Sequence, residues 1–180
     1  MESAVSKGIS DRFEETVLPH LNAAYNLARW LTRNEQDAED VVQESYLRAL
    51  RSFDSFQFGR DARAWLLKIV RNTYYTWLHR NRPHEIVTQF EENAPEAAST
   101  DADPETALIE KANAELIRQA IENISVEYRE VFILRELEQL SYKEIAQIVD
   151  VPLGTVMSRL SRGRKELEMW LRESVGGRRK

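Results

Sequence analysis

Apolar residues recur along this chain at intervals of three and four, which is the spacing of one face of an α-helix. Alternation typical of strands is missing, and hairpin signals built on glycine or proline are rare. The fold class predicted from this pattern is all-α. In the first half the pattern predicts three helices: near residues 11–32, from Asp37 to about Phe53, and from about Asp61 to Arg80.

The second half shows the same helical spacing, with clear start and stop signals. Ser125 is a candidate helix N-cap, and Ser141 with Glu144 has the spacing of a capping box that opens a short helix. Asp150-Val-Pro152 interrupts the pattern before a last helix. The predicted helices are residues 105–122, one after Ser125, one after Ser141, and about 153–172.

Between the two halves, residues 84–104 contain two prolines, many acids and few apolar groups. This composition predicts a flexible acidic linker, with an ordered loop over part of it as the alternative. The resulting division is a helical domain at 11–83, the linker at 84–104 and a second helical domain at 105–173.

The composition excludes several classes of function. The 180 residues contain no cysteine, and the three histidines show no spacing of metal ligands, so we expect no metal site. The six glycines form no phosphate-binding loop, so we expect no cofactor. No apolar run of about 18 residues exists, so we expect no membrane insertion. We also expect no catalytic centre, because paired carboxylates lack a nucleophile or metal beside them.

The formal net charge of −5 conceals an uneven distribution. Residues 60–84 carry six Lys or Arg and one Asp, and residues 151–180 carry eight Lys or Arg and three Glu. Residues 85–110 carry eight acids and no base. Two basic stretches on either side of an acidic one indicate two contacts with a polyanion.

The last helix, together with the capped helix before it, has the pattern of a helix-turn-helix. One side of its helical wheel is apolar, and the opposite side is small and polar, then basic. The apolar side contains Val156, Leu160, Gly163, Leu167 and Leu171, and the polar side contains Gly154, Ser158, Ser161, Arg162 and Lys165. Such a face suits a major groove of DNA; the alternative is an ordinary solvated helix face.

The helix of residues 62–82 also has a mixed surface. Lys68, Arg71, Tyr75 and His79 lie opposite its apolar stripe, with Asn72 beside them. Cations that track a backbone, interleaved with rings and amides, suit single-stranded DNA. The tryptophans of this helix follow the apolar stripe and are interpreted as packing residues.

Acidic residues gather in the first turns of the helix that starts at Asp37, where the helix dipole favours them. Helical spacing also brings Asp40, Gln43, Glu44 and Leu47 together, so they are candidates for a surface that docks a partner protein.

These features together resemble the extracytoplasmic-function (ECF) sigma factors of bacterial RNA polymerase, over roughly residues 11–172. DAEDVVQESYLRAL is similar to the family's core-polymerase-binding helix. FDSFQFGRDARAWLLKIVRN is similar to its promoter-melting, minus-ten-reading segment, and LSYKEIAQIVDVPLGTVMSRLSRGRKEL to its minus-thirty-five-reading helix-turn-helix. The resemblance implies two all-helical domains, the sigma-2 and sigma-4 modules.

The resemblance also implies roles for individual residues. Core-polymerase binding falls to Asp40, Gln43, Glu44 and Leu47. Asn72 matches a position that helps hold a flipped minus-ten base, and the 54–63 loop, which contains Phe58 and Arg60, matches the pocket that reads it. The mixed face of the same helix adds Lys68, Arg71 and Tyr75 as candidates for contact with the single strand. Gly154, Ser158, Ser161 and Arg162 match positions that face the minus-thirty-five element, and Thr155 and Lys165 of the same helix complete that candidate set. Met157 departs from the family pattern, because several relatives have Arg at this position. The promoter sequence of a relative therefore cannot be assigned to this protein.

The function that the resemblance implies is an alternative sigma factor, not an enzyme, acting in the cytoplasm in a stress or envelope response. Its implied partners are promoter DNA, the clamp and flap regions of core RNA polymerase, and an anti-sigma factor. Two alternatives compete with it. The first is a free-standing helix-turn-helix regulator, which would leave residues 37–48 and 62–82 without a role. The second is a helical adaptor that binds only protein, in which case no salt-sensitive contact with DNA is expected.

Overall fold

The computed structural model describes residues 11–56, 61–81 and 104–176. The described part is helical and contains no strand, as the sequence pattern predicts. Phe58, Arg60 and the predicted linker, apart from residue 104, lie outside the described residues. Among the described helices, none combines the length and the hydropathy that crossing a bilayer requires.

The described residues of the first half form a bundle of four helices. They are α1 (residues 11–17), α2 (Leu21–Thr32), α3 (Glu35–Ser52) and α4 (Ala62–Asn81), with short 3-10 turns at Leu18–His20 and Phe53–Ser55. The prediction of one continuous helix over 11–32 was wrong. Pro19 lies in the turn between α1 and α2, because proline supplies no N–H for the helical ladder.

The second half contains α5 (Pro104–Glu122), α6 (Val126–Phe132), α7 (Tyr142–Val149) and α8 (Leu153–Gly176). A π-helical turn, Ile133–Leu137, continues from α6. Ser125 precedes α6 as predicted, but its side chain makes no capping hydrogen bond. Its hydroxyl instead lies 3.2 Å from Oε1 of Glu166 on α8, so this serine joins two helices.

The two halves pack against each other, with α4 beside α7 and α2 beside α6. Arg129 of α6 is buried at this junction and donates hydrogen bonds of 2.6 and 3.2 Å to the carbonyl oxygens of Glu122 and Ile124. Burial, reinforced by the nearby Arg33, lowers the pKa of Arg129 to about 10. The Arg33 side chain donates to the same Glu122 oxygen at 3.4 Å. The Glu122 carbonyl at the end of α5 thus binds arginines from both halves.

Candidate functional site

The four residues predicted to bind core polymerase all lie on α3. Asp40, Gln43 and Leu47 are exposed, and Glu44 is partly exposed. The Glu44 carboxylate accepts a 2.9 Å hydrogen bond from Nε of Arg48, one helical turn later. Their exposure leaves this strip of α3 available to another molecule. Asn34 caps the start of this helix: its side-chain oxygen accepts a 3.0 Å hydrogen bond from the Asp37 amide.

Beside this strip lies an apolar groove of about 530 Å³ between α2, α3 and the turn before α2. Leu18 and Leu21 are unusually exposed for leucines, at 48% and 38%. The groove is lined by Leu18, Leu21, Asn22, Tyr25, Glu39, Val42, Gln43 and Tyr46. Gln43 therefore stands at the border between a polar strip and an apolar groove. Sequence reasoning missed the groove, although a leucine pair around Pro19 at the break between two helices was a usable signal.

The helix-turn-helix of the second half forms as the sequence predicts. The Ser141 hydroxyl accepts from the Glu144 amide at 3.3 Å, and the Glu144 carboxylate accepts from the Ser141 amide at 2.7 Å, which is a complete capping box. Asp150 ends α7 with a left-handed φ of 56°. Pro152 then starts the next turn, and its carbonyl accepts from the Thr155 amide at 2.9 Å.

The helical wheel of α8 matches the structure closely. Val156, Leu160 and Gly163 are buried against the rest of the second half. The predicted DNA face is turned outward: Gly154, Ser158, Ser161, Arg162 and Lys165 are exposed, and Thr155 is partly exposed. The structure thus brings the six predicted minus-thirty-five residues onto one accessible helix, at the end where it follows the turn.

The predicted single-strand residues of α4 are divided between two environments. Lys68 and Asn72 are exposed, and Lys68 borders a cleft of about 580 Å³ between α4 and α7. Arg71 and Tyr75, which the helical wheel placed opposite the apolar stripe, are covered by α6 of the second half. This covering comes from the packing of the two halves, which was not visible in the sequence.

Glu130 of α6 is the residue that covers them. Its carboxylate accepts hydrogen bonds of 3.0 and 3.2 Å from the Arg71 guanidinium and 3.0 Å from the Tyr75 hydroxyl. A fourth donor is Arg159 of α8, at 3.4 Å. The Glu130 residue is 1% exposed, so a charged group is buried between three helices. Sequence reasoning missed Glu130, since one acid among several in a helix carries no signal of its own.

Burial dominates the proton equilibria of this cluster. It raises the pKa of the Glu130 carboxyl, while hydrogen bonds from Arg71 and Tyr75 act in the opposite direction. Burial also raises the pKa of the Tyr75 hydroxyl, and the negative charge of Glu130 adds to that effect. The Arg71 guanidinium lies 4.7 Å from the centre of the Tyr75 ring, which adds a cation–π contact. The cluster is therefore tightly organised.

A second ion pair between the halves lies along the same interface. Arg63, at the start of α4, donates from Nη2 to the Glu138 carboxylate, which is nearly buried just after the π-helical turn. Two carboxylates of the second half thus bind two arginines of α4. Among the described residues, no group of His, Cys, Asp or Glu is arranged to hold a metal ion.

Comparison with known families gives matches in both halves. The family model described as Sigma-70 region 2 matches residues 16–84, and the model described as Sigma-70, region 4 matches residues 114–167. They occur in the order that the sequence motifs predict, and the second match includes the whole helix-turn-helix and Glu130.

Individual proteins are similar over most of the chain. The ECF RNA polymerase sigma factor SigW of Bacillus subtilis (strain 168) is 30% identical over 179 residues, covering 94% of this chain and 94% of that protein. The ECF RNA polymerase sigma-E factor of Haemophilus influenzae is 38% identical over 148 residues, covering 79% and 77%. The similarity is therefore not confined to the DNA-binding segment.

Two solved structures have a similar fold. The sigma factor RpoE from Bartonella quintana, in complex with the anti-sigma factor NepR, has a TM-score of 0.74 and 29% identity, covering 89% of this chain and 97% of that one. CnrH, in complex with the cytosolic domain of CnrY, has a TM-score of 0.65 and 25% identity, covering 94% and 93%. Coverage this high means that the similarity includes both halves of the chain.

Proposed function

This chain belongs to the ECF sigma factors of bacterial RNA polymerase, and we propose that it directs the polymerase to promoters through three surfaces, on α3, α4 and α8. It is an alternative sigma factor that binds core polymerase and promoter DNA. Like the relatives solved with anti-sigma factors, it works under the control of such a partner. Its action is binding rather than catalysis, in the cytoplasm where the polymerase is.

The α8 surface supports the assignment of minus-thirty-five recognition. A polar and basic face is exposed while Val156 and Leu160 are buried, so substitutions on that face leave the core intact. Ser158 and Arg162 lie within the first three turns, where a recognition helix approaches base edges. Lys165 lies one turn further along, where a phosphate contact is the expected role.

The α3 strip and its groove support the assignment of core-polymerase binding. Gln43 and Leu47 offer an exposed amide and an exposed apolar group on one side of the helix. The groove next to Gln43 provides apolar surface that is exposed to water in the free protein and that a partner can bury. Such a surface suits a helical partner segment, because buried apolar area supplies affinity and the polar strip supplies register.

Transcription with purified core polymerase tests the proposal directly. Core plus this chain should produce transcripts with defined starts from a genomic library, and core alone should not. Tight sequence-specific DNA binding by the chain without core, and no defined starts with core, would instead identify a free-standing regulator. If the chain makes no salt-sensitive contact with DNA, either alone or together with core polymerase, it is a protein-binding adaptor.

An anti-sigma partner is tested by affinity capture from the native cell. We expect a second, stoichiometric small protein in addition to polymerase, with the amounts of the two changing in opposite directions when growth conditions change. Capture of polymerase alone under every condition would contradict anti-sigma control while leaving sigma activity intact.

A further inference from the structure

Two large apolar side chains are exposed at the start of the helix that carries the candidate DNA face. Leu153 is 40% exposed and Met157 is 46% exposed, and they lie one helical turn apart in the first two turns of α8. In a helix-turn-helix, side chains at this end of the recognition helix approach the base edges. Burial of this apolar surface against a ligand is favourable, because it removes the surface from water.

This pair, the apolar flank, adjoins the predicted DNA face. The 3.6-residue period places Gly154 and Ser161 beside Met157, and both are exposed. Ser158 and Arg162 lie beyond them on the opposite flank and are also exposed. A Cβ built at Gly154 meets nothing within 4 Å, so the space beside the apolar flank is open. The outward surface of α8 therefore has an apolar flank and a polar flank on either side of small residues.

An arginine on the same side of α8 as the apolar flank is paired with an acid. Arg164 follows Met157 by two helical turns and donates to the Glu136 carboxylate at 2.6 and 3.2 Å. A guanidinium held in this way is less available to a DNA phosphate. The chemistry that this side of the helix offers is therefore apolar rather than cationic, which suits a base edge better than the phosphate backbone.

The apolar group that a base presents in the major groove is the C5 methyl of thymine. We propose that Met157, with Leu153 extending the apolar surface one turn earlier, contacts a thymine methyl in the minus-thirty-five element and so selects thymine there. This inference rests on the proposed function, because it requires α8 to enter the major groove. The unbranched thioether side chain of methionine adapts readily to the position of a methyl group. The polar flank then reads hydrogen bonds, and the apolar flank distinguishes thymine from cytosine.

Deoxyuridine is the direct probe, because it lacks only the C5 methyl of thymine and keeps the same base pairing. A promoter is first obtained from the transcripts that core plus this chain starts in a genomic library. Each thymine of its upstream element, on both strands, is then replaced singly, and holoenzyme binding is measured by competition. We expect one or two replacements to weaken binding about fourfold, the factor that burial of one methyl-sized group supplies. Unchanged wild-type binding after every replacement would overturn the proposal.

Substitutions of Met157 test whether this side chain makes the contact. Met157→Ala should weaken binding to the thymine promoter and should abolish the effect of deoxyuridine at the sensitive position, since the methyl group has lost its partner. Met157→Leu keeps an apolar side chain and should retain the effect. Both variants place good helix formers at an exposed position, so the fold should be preserved. An undiminished deoxyuridine effect in the Met157→Ala protein would overturn the proposal.

Met169→Ala is the matched control. Met169 is on the same helix and is 56% exposed, but it lies about three turns beyond Met157, away from the end that approaches the bases. The control should keep both the affinity for the promoter and the deoxyuridine effect of the wild type. Loss of that effect in both alanine variants would indicate a general disturbance of α8 and would reject the role given to Met157.

Failure of this inference can be distinguished from failure of the proposed function. If wild-type holoenzyme starts transcripts at defined positions but is indifferent to thymine methyl groups, only the inference is wrong. If Met157→Ala weakens assembly with core in the absence of DNA, the apolar flank contacts polymerase instead, and the inference is again wrong. If core plus this chain gives no defined starts, the proposed function itself is wrong, and the inference fails with it.

Discussion

Arg162 of α8 rests against Tyr128 of α6. The guanidinium carbon lies 5.9 Å from the centre of the tyrosine ring, and Nη1 donates a 3.2 Å hydrogen bond to the tyrosine hydroxyl. That hydrogen bond raises the pKa of the Arg162 guanidinium, so the group stays charged. A long, exposed arginine is thereby restricted in its rotamers before any DNA arrives, which lowers the entropy cost of a later contact.

From this pairing follows a prediction about base recognition. If Arg162 reads a guanine, Arg162→Ala should cost about 1–3 kcal/mol of holoenzyme binding and relax preference at one upstream position. Tyr128→Phe keeps the ring and should cost less. The measurement is transcription from a promoter library randomised at the upstream element.

Lys165→Ala provides the comparison for a phosphate contact. We expect it to weaken all promoters alike and to reduce the salt slope by about one unit. Ser158→Ala, which removes a hydroxyl that now donates to the Thr155 carbonyl at 3.0 Å, should alter preference rather than salt dependence. Wild-type strength and preference in the Ser158, Arg162 and Lys165 variants would reject α8 as the recognition helix.

A second prediction concerns core binding by α3. Gln43→Ala combined with Glu44→Lys should weaken polymerase association, because both side chains reach solvent beside the apolar groove. The melting temperature should stay close to wild type. The ion pair of Glu44 with Arg48 is exposed, and such pairs contribute only about 0.3–0.5 kcal/mol.

A pull-down titration with core measures this effect. Glu15→Lys, a charge reversal on the exposed side of α1, is the control and should bind core as wild type does. Unchanged affinity of the double variant for core would show that the polymerase-binding surface does not include this strip.

Two glycines of α8 should respond in opposite ways to substitution. A Cβ at Gly154 meets nothing within 4 Å, so Gly154→Ala should stabilise the helix by about 0.5–1 kcal/mol. A Cβ at Gly163 would lie 3.3 Å from Cβ of Tyr128 and 3.7 Å from Cγ2 of Ile124. Gly163→Leu should therefore destabilise by about 1–3 kcal/mol through overpacking.

Thermal unfolding followed by circular dichroism compares the pair. Since Gly154 lies on the predicted DNA face, its alanine variant should combine a higher melting temperature with altered promoter binding. A Gly163→Leu protein as stable as wild type would show that α8 does not pack closely on Tyr128.

The capping box makes a prediction about the stability of the helix-turn-helix. Ser141→Ala removes the acceptor for the Glu144 amide and should cost about 1 kcal/mol of unfolding free energy. Ser141→Asp keeps an acceptor and should be close to wild type. Chemical denaturation measures both, and equal midpoints for alanine and aspartate would mean that the cap contributes nothing.

The last prediction is a loss of stability at alkaline pH. The pKa of Tyr75 is raised in the folded protein above the ordinary tyrosine value of 10.0, mainly by burial and then by the charge of Glu130. As the pH rises above 10.0, the unfolded chain loses this proton first, so the folded state binds more protons and becomes less stable. Below that pH the contribution is constant.

Unfolding free energies measured between about pH 9 and pH 11 test this linkage. The Tyr75→Phe protein should start less stable, because it lacks the hydrogen bond to Glu130, and should lose stability less steeply as the pH rises. Parallel pH profiles for the two proteins would contradict a raised Tyr75 pKa.

Local signals in the sequence were sufficient for most of the helices and for the face of α8. Ser141, Glu144 and Pro152 act through hydrogen bonds and backbone limits within a few residues, so their effect is readable without a fold. The alternation of Val156 and Leu160 with Ser158 and Arg162 follows from the 3.6-residue period alone. The family resemblance, which the comparisons confirm, rests on this helix-turn-helix segment together with two segments of the first half.

Only the tertiary structure determines which residues of the two halves contact each other. Glu130 and Arg71 are 59 residues apart, and Arg63 and Glu138 are 75 apart, so no periodicity along the chain relates them. Helical spacing assigns Arg71 to a polar face, but whether water, DNA or Glu130 meets that face depends on how α6 packs on α4. Burial and its effect on the pKa of Glu130 arise only when distant segments exclude water together.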